Sequence, residues 1–214
     1  MGLDWIPIAK PIPGKETEFK TAYEKILASR SDEEAQKVME FMRTVSINSR
    51  SELEVPIVGK DVEASEYLTK VHKERDIQEP LADFIKRHDG FWVWQIAKPS
   101  DGIPEFSNSC TYTNVDGSSF RAEFLKDAEW IIGSELFEKA HRYMLGAELC
   151  DYADELEVKL KTFCERERLD ISSFGDHNPI VESEEPARSI RILLSAIKYL
   201  RFWGERGYFI QAWY

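Results

Sequence analysis

Residues 3–11 read LDWIPIAKP, and the fold turns on how this stretch is placed. In an extended backbone Leu3, Trp5, Pro7 and Ala9 point to one face, and Asp4, Ile6, Ile8 and Lys10 to the other. Pro7 brings no N–H, so such a strand is expected at a sheet edge, or to end early. Pro11, Pro13 and Gly14 stop it. Its apolar character does not suit a targeting role. Asp4, Pro7 and Lys10 interrupt the apolar region that a signal peptide needs, and Ile6 stands where N-myristoylation of Gly2 requires Ser or Thr. The stretch reads as a buried strand with Trp5 in the core. YFIQAWY at 208–214 is a candidate partner, which would bring the two ends of the chain together.

Between these ends helical periodicity dominates. Phe19, Tyr23, Ile26 and Leu27 recur at helical spacing. Ser31 is placed to cap the next helix, whose stripe is Ala35, Val38, Met39, Met42 and Val45, a methionine-bearing face that suits a core. Tyr67, Leu68 and Val71 mark a weaker helix. Pro80 opens another, closed by Gly90. FWVWQIA at 91–97 is aromatic and β-branched and reads as a strand. A short strand is also read at 111–113, after a loop over 99–110. Residues 120–132 read as one helix.

Stepping about 100° per residue, Leu136, Ala140, Tyr143, Met144 and Ala147 share one face, while Leu149, Ala153, Leu156, Leu160 and Phe163 lie opposite. The expectation is either a break near Leu145-Gly146 or a single helix buried on both sides. Ser183 is a candidate cap for the last helix, which Gly204 or Gly207 ends. Its stripe is Ile190, Leu193, Leu194 and Ile197, and the turn holding Leu200, Phe202 and Trp203 is apolar nearly all round. The expected architecture is mainly α, with seven or eight helices and a small antiparallel or mixed sheet in a single domain over 1–214. That sheet would combine 91–97, the C-terminal strand and the N-terminal one.

The chain of 214 residues carries 39 acidic and 28 basic side chains, a net charge of −11. Nucleic-acid backbones and anionic lipid are bound through Lys and Arg, so neither is an expected partner. No apolar run reaches the roughly 18–20 residues that span a bilayer. Cys110, Cys150 and Cys164 follow neither a disulfide nor a zinc pattern, which suits a reducing cytoplasm. Cys164 and Cys150 read as core thiols. No cofactor and no metal site is expected.

Few residues stand out as chemical. No nucleophile elbow, zinc-binding helix, P-loop or dinucleotide fingerprint occurs. Glu138 and His141 make a single Glu-x-x-His, where di-iron bundles need two, so a surface contact is the better reading. Asp176 and His177 sit in a loop whose turn chemistry explains them. Two polar residues are out of phase. His88 shares a face with Leu81, Phe84 and Ile85 at a helix C-terminus, where a cation is favoured. Arg121 falls within the arc of Phe120, Phe124, Leu125, Ala128 and Ile132, where a buried cation needs a partner. The structural reading is an Arg–carboxylate pair and a hydrogen-bonded histidine. The functional one is an aromatic pocket formed with Trp92 and Trp94, in which Arg121 holds an anionic group.

MGLDWIPIAKPIPGKETEF at 1–19, SFRAEFLKDAEWIIGSELFEKAH at 119–141 and YLRFWGERGY at 199–208 resemble an uncharacterised bacterial protein family. The resemblance implies a bacterial-type cytoplasmic protein and assigns no activity. Three functions compete. The first is a non-enzymatic binding or interaction protein, with a protein partner or self-association, since aromatic residues, Met and Arg favour interfaces. The second is a small enzyme or ligand-binding protein using Arg121, His88, Trp92 and Trp94 on a small anionic ligand. The third is an acidic inhibitor that mimics nucleic acid. A deep pocket containing Arg121 or His88, with a small anion bound in it, favours the second. Deleting residues 1–10 is expected to lower the melting temperature substantially, because Trp5 is read as core; a wild-type melting curve after the deletion would refute the strand reading.

Overall fold

The computed structural model describes residues 2–29, 31–97, 119–174 and 185–213. Eight α-helices and a three-stranded antiparallel sheet are found among them. In chain order these are β1 (Asp4–Pro11), α1 (Glu16–Ala28), α2 (Asp32–Thr44), β2 (Ser46–Asn48), α3 (Val62–Glu74), α4 (Leu81–Arg87), α5 (Glu129–Ile132), α6 (Ser134–Lys139), α7 (Gly146–Glu167), α8 (Ala187–Glu205) and β3 (Phe209–Trp213). The strand read at 111–113, Cys110, the loop pair Asp176–His177 and the Ser183 cap lie outside the described residues.

The sheet runs β2-β1-β3, so the opening strand is its centre and not its edge. The reason lies in the flank that Pro7 faces. Trp5 exchanges both backbone hydrogen bonds with Phe120, at 2.8 and 2.9 Å, on the side away from β3. Strand alternation turns the Pro7 nitrogen to that same flank, past the Phe120 bridge and before β2 pairs at Ala9. No ladder bond is asked of it there. The face assignment holds: Leu3, Trp5, Pro7 and Ala9 are all buried. β3 is antiparallel to β1, with Trp5 opposite Ala212, so the two ends of the chain do meet.

Residues 91–97 are not a sheet strand. The segment makes one antiparallel bridge, Trp92 to Ile57, then closes into a 3₁₀ turn over Trp94–Ile96. Val93 donates to the Pro56 carbonyl at 2.8 Å, and Pro56 has no N–H to return, so the ladder stops. Residues 120–132 also depart from one α-helix. Phe120 is held by Trp5, and Glu123 donates to the Leu3 carbonyl at 2.8 Å, which draws the segment onto β1. Ala122–Ala128 is 3₁₀, and its fully buried residues Ala122, Leu125 and Ala128 recur every three positions, the repeat of that helix.

The break near Leu145-Gly146 is present. α6 ends at Lys139, Met144 bridges Ile210 of β3, and α7 starts at Gly146. α7 and α8 then pack the main core through Leu149, Tyr152, Leu156, Leu193, Leu200 and Trp203. The start of α7 and the end of α8 touch backbone to backbone. A Cβ on Gly204 would stand 2.9 Å from the Gly146 carbonyl oxygen and 2.7 Å from Cys150 Sγ, and one on Gly146 would meet the Gly207 Cα at 2.7 Å. Gly204 therefore lies inside α8, and Gly207, with φ at +75°, follows its end. A smaller cluster joins α1 and α2 to the sheet through Phe19, Tyr23, Met42, Ala9 and Phe209. A third, of Val58, Ala64 and Val93, gathers α3 and α4.

Gly204→Ala is expected to destabilise the protein by about 1–3 kcal/mol or more, because a carbonyl cannot step aside as a side-chain tip can. Thermal and urea unfolding measure it. Combining it with Cys150→Ala should recover only part of the loss, since the Gly146 contact remains.

Candidate functional site

The largest group of sequence-selected residues falls around α3 and α4. A cavity of about 340 Å³ there is lined by Tyr67, Leu68, Val71 and Arg75 from α3 and its end, by Phe84 and His88 from α4 and its end, and by Phe91, Trp92, Val93 and Gln95. Its volume lies at the lower end of the range for small-molecule sites. α3 presents Tyr67, Leu68, Val71 and Arg75 because positions i, i+1, i+4 and i+8 share a helix face. α4 opens after Pro80 and ends at His88, with Gly90 (φ +79°) turning the chain back. The bridge of Trp92 to Ile57 sets the remaining wall.

The rings form a row. His72 lies 5.2 Å from Phe84, Phe84 4.5 Å from His88, and His88 5.2 Å from Phe91, centroid to centroid. Both imidazoles are oriented by backbone. His72 Nε2 donates to the Glu79 carbonyl at 2.6 Å, and His88 Nδ1 to the Phe84 carbonyl at 2.7 Å. The second bond fixes the His88 tautomer when neutral and leaves Nε2 as its remaining polar atom. Phe91 is 57% exposed and stands at the rim. Trp92 is half-buried and packs against the main core as well as lining the cavity.

His88 and Trp92 are therefore brought together, and Arg121 and Trp94 are not among the lining residues. Trp94 packs on the main core. Arg121 Nε lies 3.5 Å from Asp4 Oδ1, both side chains mostly buried, in a pair that ties β1 to the 3₁₀ segment. His141 lies in the turn beyond α6, edge-on to Phe137, so it shares no helix with Glu138. Arg75 escaped the sequence reading. The signal for it was its place one turn beyond Val71 on the Tyr67/Leu68/Val71 face.

A second polar centre joins Glu52 to three donors. Lys10 Nζ is 2.6 Å from its carboxylate, the Tyr208 hydroxyl donates to it at 3.1 Å, and Arg206 Nε stands 3.4 Å away. Burial pushes the Glu52 carboxyl up, but the Lys10 hydrogen bond and charge, with Tyr208 and Arg206, carry it below the ordinary value. Burial raises the Tyr208 hydroxyl, reinforced by the Glu52 charge. A locked carboxylate beside a neutral phenol is a structural clamp between β1, the 49–52 turn and the end of α8. The two described cysteines, Cys150 and Cys164, are free thiols raised mainly by burial. Among the described residues no group of three or more His, Cys, Asp or Glu is placed to hold a metal ion, and no helix is long and apolar enough to cross a membrane.

The chain matches no family model, no curated protein and no solved structure. Residue roles therefore rest on geometry.

Because the folded Glu52 carboxyl is held below its ordinary value of 4.5, its contribution to stability is complete above that value and is lost as the pH falls through the lowered one. Glu52→Gln should lower the melting temperature at pH 7. The gap between wild type and variant should narrow at pH 3. A gap of equal size at both pH values would remove Glu52 from this role.

Proposed function

We propose that this protein is a non-catalytic binding protein whose ligand site is the aromatic cavity between α3, α4 and residues 91–95. The observation that carries the reading is the wall itself: Tyr67, Phe84, Phe91 and Trp92 surround about 340 Å³ beside the small cluster of Val58, Ala64 and Val93. Aromatic faces of this kind offer a large apolar contact to a flat or chain-like body. The imidazole in the wall is oriented by the Phe84 carbonyl, an arrangement that aims its remaining nitrogen as a hydrogen-bonding atom. Binding with orientation is the activity such a wall supports.

Protein-observed NMR with a set of small aryl compounds tests this. Hits should shift amides of residues 67–75 and 84–93 and leave those of α7 and α8 in place. Val71→Phe, which fills the cavity with a larger apolar side chain, should abolish the shifts in a folded protein. Hits mapping instead to the α7–α8 surface would overturn the assignment.

A further inference from the structure

We infer that the ligand of this cavity is a small monoanion, an aryl or alkyl carboxylate, and that Arg75 anchors its charged group. The inference rests on the cavity being the binding site. It deepens that reading by naming the chemical class. The chain holds 39 acidic and 28 basic residues, so an average hollow in it should carry more acid than base. The described wall of this cavity does the opposite. Its polar members are Arg75, His88 and Gln95, beside the phenol of Tyr67, and no Asp or Glu lines it.

The state of Arg75 sharpens the point. It caps the C-terminal end of α3 and makes no ion pair among the described residues. The arginine of the facing helix is already committed, with Arg87 held by Glu79 at 2.6 Å and its guanidinium 5.6 Å from the Phe84 ring. A guanidinium offers two parallel donors to a carboxylate, and the pairing strengthens where apolar rings displace water from one side. His88 adds a second polar atom across the same hollow, its ring aligned by the Phe84 carbonyl. The volume takes one ring and a short chain, with the apolar body against Phe84 and Trp92 and the charged end at Arg75.

Calorimetry on the full chain separates the two levels of this claim. The probes are 3-phenylpropionate and its neutral counterpart 3-phenylpropan-1-ol. Wild type is expected to bind the carboxylate at least about tenfold more tightly than the alcohol. Arg75→Gln should erase that preference and leave the alcohol affinity in place, with an unchanged melting temperature because Arg75 is exposed at a helix end. Arg75→Lys, which keeps the charge and loses the fork, should recover part of it. Equal affinity for the two probes in wild type overturns the anion inference and leaves the cavity reading standing. Binding of neither probe sinks the cavity reading, and the inference with it. A carboxylate preference that survives in Arg75→Gln overturns the anchor.

Discussion

The indole of Trp5 is fully enclosed, and its N–H donates to the Ala140 carbonyl at 2.9 Å. Its ring stacks on Phe120 at 5.4 Å and on Tyr199 at 6.1 Å, and meets Tyr152 edge-on at 6.0 Å. The backbone of the same residue is bonded to Phe120, and its carbonyl accepts from the Tyr199 hydroxyl at 3.0 Å. One residue of the central strand thus touches α7, α8, the Phe120 bridge that leads into the 3₁₀ segment, and the turn after α6. Burying an aromatic surface of this size contributes several kcal/mol, and the polar atoms buried with it are satisfied. The order of the surrounding elements follows. The segment after Phe120 must lie along β1, which costs it α geometry. The chain must break between α6 and α7 so that Ala140 and Met144 reach the strands.

Elements governed by local rules were legible in the sequence. The buried face of Leu3, Trp5, Pro7 and Ala9, the cap at Ser31 and the break beside Leu145 each express a short-range constraint and appear as read, whereas Ala147, counted with the first stripe, is exposed at the start of α7. The departures come from distant partners. Pro7 argues for an edge until Phe120 is known to close the flank beside it. Residues 91–97 have strand composition, but the segment they pair with contains Pro56. Ala122, Leu125 and Ala128 carry a three-residue period that is invisible beside the stronger aromatic arc of Phe120 and Phe124. Gly146 and Gly204 are 58 residues apart in sequence, and nothing local says that two backbones meet there.

The site was half legible for the same reason. Phase identified His88 and composition identified Trp92, and the fold places both on one hollow. Phase also identified Arg121, and there the carboxylate of Asp4 stands beside it as an ion-pair partner at 3.5 Å. A wheel shows where a charge sits on a helix, and cannot show what faces it. Arg75 continues an apolar stripe by one turn, a position that reads as a solvated helix end until the opposing wall is seen.

The cavity is better suited to binding by lying outside the main core. α4 has seven residues, too few to hold a helix by its own hydrogen bonds, so its position depends on the small cluster of Val58, Ala64 and Val93 and on the row of rings. Elements held by few apolar contacts are the ones that open at low free energy. The opposite wall differs. Trp92 lies against residues that Trp5, α7 and α8 hold in place, and so it cannot shift without disturbing them. One wall is fixed by the core and the other is held by a minor cluster. A body entering between them meets a rigid indole on one side and an adjustable helix pair on the other. The free energy of contact can then be used to order α3 and α4 around it, without strain reaching the sheet.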